Sequence, residues 1–323
     1  MGEVPSRTQT TGTRINITRR SVLELAAAWL AALAVGTPAA NADVPSQSQS
    51  PRSQSRRYRV NATVMLASVP LFSKQNAGGA LLALEETGSG ECGVTHLQFA
   101  AGTSPERLKG FNRFGATREV VRRQNGIVVE SSYESFMASC RETNLTEARQ
   151  AFTETRDSMP LTVARGRSTC NGCSSAIEHR NAPARYTWAN CLDLVEDLRG
   201  SLPLPPEKSP AEYAGQALPT FLFAVRSALE SGAGSTTMPY MHNSQIYKLR
   251  TRVEPDKHAN GLAMTGWVSK PGERGETEFK LWTASMDRTA LPVRIEFRPR
   301  SFLRLTLEQD PNYGGADLRP PSQ

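Results

Sequence analysis

Tyr247-Lys248-Leu249-Arg250-Thr251-Arg252-Val253-Glu254 decides the fold class. Tyr247, Leu249, Thr251 and Val253 fall on one side of an extended chain, and Lys248, Arg250, Arg252 and Glu254 fall on the other. A period of two with one apolar and one charged side describes a strand that is buried on one face and wet on the other. The same rhythm continues downstream. Leu262, Met264 and Val268 follow, then Phe279 and Leu281, then Leu291, Val293, Ile295 and Phe297 against Arg294, Glu296 and Arg298, then Leu303, Leu305 and Leu307. Five strands joined by short turns make an antiparallel meander with one solvated face. Pro292 inside the pattern marks a strand start or a sheet edge, because proline has no N–H to give to a ladder.

Upstream, Tyr58 to Leu66 alternates in the same way, and 81–84 and 94–99 are further strand segments. Residues 116–123 and 126–136 pair as a hairpin across Asn125-Gly126, since Asn-Gly supplies the positive φ angles of a tight turn. Between the two strand-rich blocks the period changes. Thr187 caps a helix whose apolar face is Trp188, Cys191, Leu192, Val195 and Leu198, with Gly200 placed to stop it. Ser209-Pro210-Ala211-Glu212 reads as a capping box with proline at the first helical position. Pro219 then kinks or restarts that helix, whose stripe is Leu218, Phe221, Leu222, Val225 and Leu229, ending at Gly232. Asn144 starts a shorter helix over 145–153, and 158–186 reads as irregular. The expected fold is α+β: a strongly curved antiparallel sheet from blocks 58–136 and 244–309, with the helical region 187–231 packed on its concave apolar face.

The N-terminus carries an address. Arg19-Arg20 precede an apolar run of eleven residues, Leu25 to Val35, and then Ala40-Asn41-Ala42. A charged start, a short apolar core and a small-residue end describe an export signal cleaved after Ala42, by the twin-arginine or the general route. The run falls short of the ~20 residues a membrane-spanning helix needs, so no transmembrane helix is expected after processing. The destination is periplasmic or secreted. Residues 43–57, rich in Ser and Gln, read as a disordered linker, 58–310 as one domain and 311–323 as a disordered tail. Removing residues 1–42 lowers the formal charge from +7 to +5. Cations are interspersed with acids and no nucleic-acid motif accompanies them, so nucleic acid is not an expected partner.

Cys170-Asn171-Gly172-Cys173 is the most specific chemical feature. In an oxidising compartment the pair forms a structural disulfide, within itself or to Cys191, Cys140 or Cys92. Two alternatives stay open: a thiol redox pair, and half of a zinc site completed by His179 and Cys191. Otherwise no cofactor is implied. The four histidines, His96, His179, His242 and His258, form no metal-binding spacing. There is no nucleophile elbow, phosphate loop or dinucleotide fingerprint, so no catalytic residue is assigned. Phe111, Arg113 and Phe114 interleave aromatic and cationic groups, a combination suited to an amphiphile's chain and its anionic head; their alternative role is core packing. Arg294, Arg298, Arg300 and Arg304 line the wet face of the last two strands.

Trp282, Ser285, Asp287 and Leu291-Pro292-Val293-Arg294-Ile295-Glu296 with the closing Leu-rich strand resemble the C-terminal end of a widespread bacterial family of exported domains of unknown function. Such domains are similar to the half-open β-barrels of outer-membrane lipoprotein carriers. The resemblance implies a half-open barrel and carries no catalytic residues. Two functional classes follow: a non-enzymatic envelope protein binding a lipid or amphiphile, or serving as a scaffold; and a cysteine-centred metal or redox protein.

Overall fold

The computed structural model describes residues 52–312, with breaks at 67–68, 89–91, 109–111, 139–157, 184–185, 209–210, 233, 244, 271, 273–274 and 301–302. Arg19, Arg20, Ala42, Phe111, Cys140, the 145–153 helix and the tail from 313 lie outside these residues.

Thirteen strands form one antiparallel sheet: β1 (Arg52–Leu66), β2 (Val69–Gly88), β3 (Gly93–Thr103), β4 (Phe114–Gln124), β5 (Ile127–Ala138), β6 (Ser158–Thr169), β7 (Gly172–Pro183), β8 (Gly234–His242), β9 (Gln245–Pro255), β10 (Leu262–Ser269), β11 (Glu276–Trp282), β12 (Arg294–Arg300) and β13 (Leu303–Gln309). The spatial order is β7-β6-β5-β4-β3-β2-β1-β13-β12-β11-β10-β9-β8. Two sequential meanders are thus joined where β1 pairs with β13, Tyr58 opposite Gln309 and Val64 opposite Leu303. The sheet curls into a nearly closed barrel whose two edges, β7 and β8, are bridged by the segment 202–220.

Among the described residues there are two short α-helices, α1 (Cys191–Asp197) and α2 (Phe221–Ser231). Eight of the eleven residues of α2 are buried, the signature of a helix enclosed on nearly all sides. It lies inside the barrel. Its core cluster joins Leu222, Val225 and Leu229 to Tyr58, Leu82, Phe99 and Val121 from one meander, and to Leu249, Met264, Leu281 and Leu307 from the other. Gly266 on β10 makes room for the ring of Phe279, to which a Cβ there would come within 2.2 Å.

The sequence placed both helices on the concave face, and this is corrected for α1. On β4, Glu119 and Val121 face α2, whereas Phe114, Ala116 and Arg118 alternate to the opposite side and meet α1. Trp188, in the 3₁₀ turn before α1, seats on Gly79 of β2, where a Cβ would approach its ring to 2.2 Å. So α1 covers a patch of the outer face, and β3 to β6 are buried on both sides there.

Other boundaries move as well. The linker read over 43–57 gives way to strand at Arg52, because Arg52 to Arg57 pair with Glu86 to Leu81 of β2. Their side chains are held too: Arg52 donates to Thr289, and Arg56 donates to the Leu291 carbonyl at 2.5 Å. Composition signalled disorder, but ladder bonds and paired guanidiniums offset the missing apolar surface. Residues 158–183, read as irregular, form the β6–β7 hairpin. The capping box at 209–212 starts no α-helix: the described part is a 3₁₀ turn over Ala211–Tyr213, and Gly215 follows at φ +79. The hairpin across Asn125-Gly126 forms as expected, with φ of 52 and 74. Pro292 precedes β12, and its carbonyl accepts from the Tyr58 hydroxyl at 2.7 Å.

A candidate ligand cleft at the barrel seam

The two sheet edges do not pair with each other. The N-terminal end of β7 meets the C-terminal end of β8, so the edges are offset, and the strap 202–220 crosses between them. Leu202-Pro203-Leu204-Pro205-Pro206 begins the strap; its prolines favour an extended chain and lack N–H groups that would need partners. Lys208 then pairs both ways with Cys173 on β7, N–H to carbonyl, at 2.8 and 2.9 Å. The Thr169 hydroxyl donates to Glu207 at 2.9 Å, and the Ser174 hydroxyl donates to the Pro205 carbonyl. Farther on, the Leu218 N–H donates to Ser168 Oγ at 2.8 Å and the Ser131 hydroxyl donates to the Leu218 carbonyl at 2.5 Å. On the other edge, the Met241 N–H donates to the Pro219 carbonyl at 2.9 Å. Tyr133, Ala164, Leu218 and Met241 form a small apolar cluster that seals the seam from within.

Beside this seal a cleft of about 870 Å³ remains, walled by the strap, the start of β7 and the β8–β10 edge. Met241, Ile246 and Tyr213 give it apolar surface, while Lys208, Lys248 and Lys270 supply positive charge and Glu212 a single carboxylate. An apolar wall with a few cations suits a molecule with a hydrocarbon part and an acidic head.

Behind the cleft lie two enclosed titratable groups. Glu119 on β4 accepts from the N–H groups of Leu222 and Phe223 at 3.0 and 3.1 Å, capping the first turn of α2. Burial pushes its carboxyl up to about 7, against the smaller opposing effect of those hydrogen bonds. His242 ends β8 between Tyr133 and Tyr247, with ring centroids 5.6 and 5.9 Å away. Burial lowers it to about 4, and its Nε2 has no hydrogen-bond partner among the described residues. Arg226, fully buried on α2, pairs with Glu86 at 2.6 Å and Glu230 at 2.8 Å.

The residues singled out from sequence scatter. Phe114 packs edge-on against Phe136 at 6.0 Å beneath α1, the packing role rather than a ligand contact. Arg113 anchors its backbone on Thr103, accepting and donating at 2.8 Å. Neither lines the cleft. Cys170 sits in the two-residue turn of the β6–β7 hairpin, exposed, and Cys173 opens β7. Cys170, Cys173 and Cys191 are free thiols, so the expected disulfide among them is not formed. Cys191 lies on the outer face under α1, its thiol donating to the Trp188 carbonyl at 3.1 Å, far from the hairpin turn. His179 is six residues along an extended strand from Cys173, roughly 20 Å, and pairs with Thr162 at 3.1 Å. No cluster of three metal-ligating side chains exists among the described residues, so Cys170, Cys173, Cys191 and His179 do not assemble a zinc site. Burial raises the Cys173 thiol, and Glu207 adds to this against the hydrogen bond from Ser168, which disfavours the thiolate a redox centre needs. Of the proposed set only Cys173 reaches the cleft.

Sequence reading missed the lysines and the strap, since nothing local marks them as neighbours. Glu119 did leave a signal: it shares strand parity with buried Val121. No protein-family model matches the chain, and no curated protein matches it. Among solved structures the chain is similar to the crystal structure of a beta-barrel-like protein of domain of unknown function DUF1849 from Brucella abortus, at 8% identity and a TM-score of 0.37, with 81% of this chain and 98% of that chain covered.

Proposed function

We propose that this chain is an exported bacterial envelope protein that binds an anionic amphiphile, such as a fatty acid or a phospholipid, in the seam cleft. The observation that carries this reading is the cleft itself: about 870 Å³ with Met241 and Ile246 beside Lys208, Lys248 and Lys270. Small-molecule sites span about 300–1,000 Å³ and combine apolar surface with a few orienting polar groups. Among the described residues the barrel interior is taken up by α2 and the core side chains around it. Arg19-Arg20 and Ala40-Asn41-Ala42 support the address, and the exported species should begin at Asp43.

Native mass spectrometry of the protein recovered from its own envelope, combined with displacement of a fluorescent fatty acid, tests the binding. The expected result is an adduct of lipid mass and probe affinity reduced at least about tenfold, some 1.4 kcal/mol, in Ile246→Glu and in Lys248→Glu, with thermal stability retained. Unchanged probe affinity in both variants would remove the reading.

A further inference from the structure

The edge strand β7 leaves one side of its backbone unpaired. At its start, the Cys173 N–H donates to the Lys208 carbonyl at 2.9 Å and the Lys208 N–H donates back at 2.8 Å, so the main chain of Cys173 turns away from β6 toward the strap. Along an antiparallel strand, the main-chain groups of successive residues address the two sides in alternation. Ser175, Ile177, His179 and Asn181 therefore present N–H and C=O to the same side as Cys173, and among the described residues no backbone group meets them. Ile177, His179 and Asn181 are exposed. Pro183, at the next such position, ends the strand. The opposite edge is closed differently. On β8 the Met241 N–H reaches the Pro219 carbonyl of the strap, and Pro239, at the preceding outward position, has no N–H to offer. Proline blunts an edge against pairing, and β7 carries none from Cys173 to Ala182.

We propose that β7 pairs with β7 of a second copy of this chain, antiparallel about a two-fold axis through His179. The strand's own sequence argues for this occupant. The open stretch runs from Ser175, just past the strap bridge, to Pro183, and His179 is its midpoint. A two-fold axis there sets Ile177 against Asn181 of the second copy and Asn181 against Ile177, with every outward group matched, and directs the Ser175 N–H to the Pro183 carbonyl. Ala176 belongs to the outer cluster, so Glu178 and Arg180, of the same parity, face outward as well. The axis sets Glu178 of each copy against Arg180 of the other, opposite charges directly across the junction. Other registers fail. An axis through Glu178 or through Arg180 opposes like charges, and one through Ile177 sets Asn181 against Cys173, whose backbone Lys208 already holds. An axis between two residues matches outward groups with inward ones. Within one copy Glu178 and Arg180 already pair at 2.7 Å, and the guanidinium donates to Ser201 at 2.8 Å, which holds both charges in place for the second copy. Identical edges joined about a two-fold axis make a closed contact that does not propagate into a fibre. Because Ser175 also lines the cleft, the junction ends at the cleft rim in each copy.

Sedimentation velocity of the chain over a wide range of concentration tests the pairing. A contact confined to two strand edges is small, so the expected result is a reversible monomer–dimer equilibrium rather than a permanent dimer. Ile177→Pro deletes an outward N–H and none of the bonds to β6, and should weaken the dimer at least about tenfold. Glu178→Arg and Arg180→Glu should each shift the equilibrium toward monomer. An equimolar mixture of these two variants should regain the dimer, because only the mixed pair opposes unlike charges. Circular dichroism and thermal melting check that each variant stays folded, and the mixing experiment stands even if the proline variant does not fold. Three outcomes would overturn the inference: a wild-type chain that stays monomeric at every concentration, a dimer that persists unchanged in both charge reversals, or a mixture no more associated than its components.

Discussion

Glu119 and His242 are both enclosed behind the seam, and they drive stability in opposite directions with pH. The folded state raises the Glu119 carboxyl from 4.5 to about 7. Between those values the native chain holds a proton that the unfolded chain has released. The associated stability is full below pH 4.5 and is lost as pH rises through 7. At about 1.4 kcal/mol per unit this amounts to about 3 kcal/mol. His242 runs the other way. Its folded value falls from 6.5 to about 4, so the unfolded chain takes up the proton first, and stability that is full above pH 6.5 is lost as pH falls toward 4. That also amounts to about 3 kcal/mol.

In the wild-type chain the two slopes nearly cancel, and substitution should uncover each. Glu119→Gln removes the first contribution, so the variant should lose about 3 kcal/mol relative to its own value at pH 7 when taken to pH 4. His242→Phe, which retains a ring against Tyr133 and Tyr247, should gain stability by a similar amount over that range. The assay is urea unfolding at half-unit steps of pH, reported as variant minus wild type so that all other titrating groups drop out. In thermal midpoints the effect is roughly 6–12 °C for a domain of this size. A difference that stays level within about 1 kcal/mol from pH 4 to 7.5 for Glu119→Gln would refute the reasoning: Glu119 would not be dry, and α2 would not be seated on it.

Glu86→Ala should destabilise the chain by about 3 kcal/mol in urea unfolding, since it strips a carboxylate from an Arg226 side chain with no exposure. Gly79→Val should cost about 1–3 kcal/mol by pushing Trp188 off the outer face. The same substitution in a Trp188→Leu background should cost less, and a double-mutant cycle reads the difference. Under native conditions iodoacetamide should modify the exposed Cys170, while the buried Cys191, whose thiol burial pushes up to about 12, should react only after unfolding. Peptide mapping by mass spectrometry checks this, and a cross-linked peptide joining Cys170 to Cys173 would contradict the free thiols.

How far the fold was legible follows from how locally each part is determined. The C-terminal meander and the Asn125-Gly126 hairpin are written in alternation and turn chemistry over a few residues, and they form as read. The α2 stripe is equally local. The β6–β7 hairpin was missed although Met159, Leu161 and Val163 alternate, because Pro160 interrupts them and β7 is a polar edge strand. Pro239 masked the other edge strand, β8, in the same way. Edges are the strands that tolerate proline and carry polar residues, so weak pattern is their normal appearance. The side of the sheet taken by α1 was not legible at all. Phe114 and Ala116 form an apolar stripe opposite Val121, and a strand buried on both faces has no polar side to orient it.

The placement of α2 decides where the proposed ligand would fit. A barrel this wide would hold a ligand if its lumen were empty, but α2 occupies the lumen, and carboxylates engage its first turn and its buried guanidinium. Glu119 caps its first turn, Glu86 and Glu230 hold Arg226, and apolar side chains from eleven strands close around the rest. Displacing the helix would leave a bare helix N-terminus and an unpaired guanidinium in a dry core, each costing several kcal/mol. The seam has no such constraint. There the strap replaces a continuous ladder with two isolated bridges, Cys173–Lys208 and Thr220–Met241, and a few hydroxyl contacts from Ser131, Ser168 and Ser174. Opening a segment held by so few backbone bonds costs far less than opening a ladder. The cleft therefore lies where the fold can admit a ligand without disturbing the helix that fills its core.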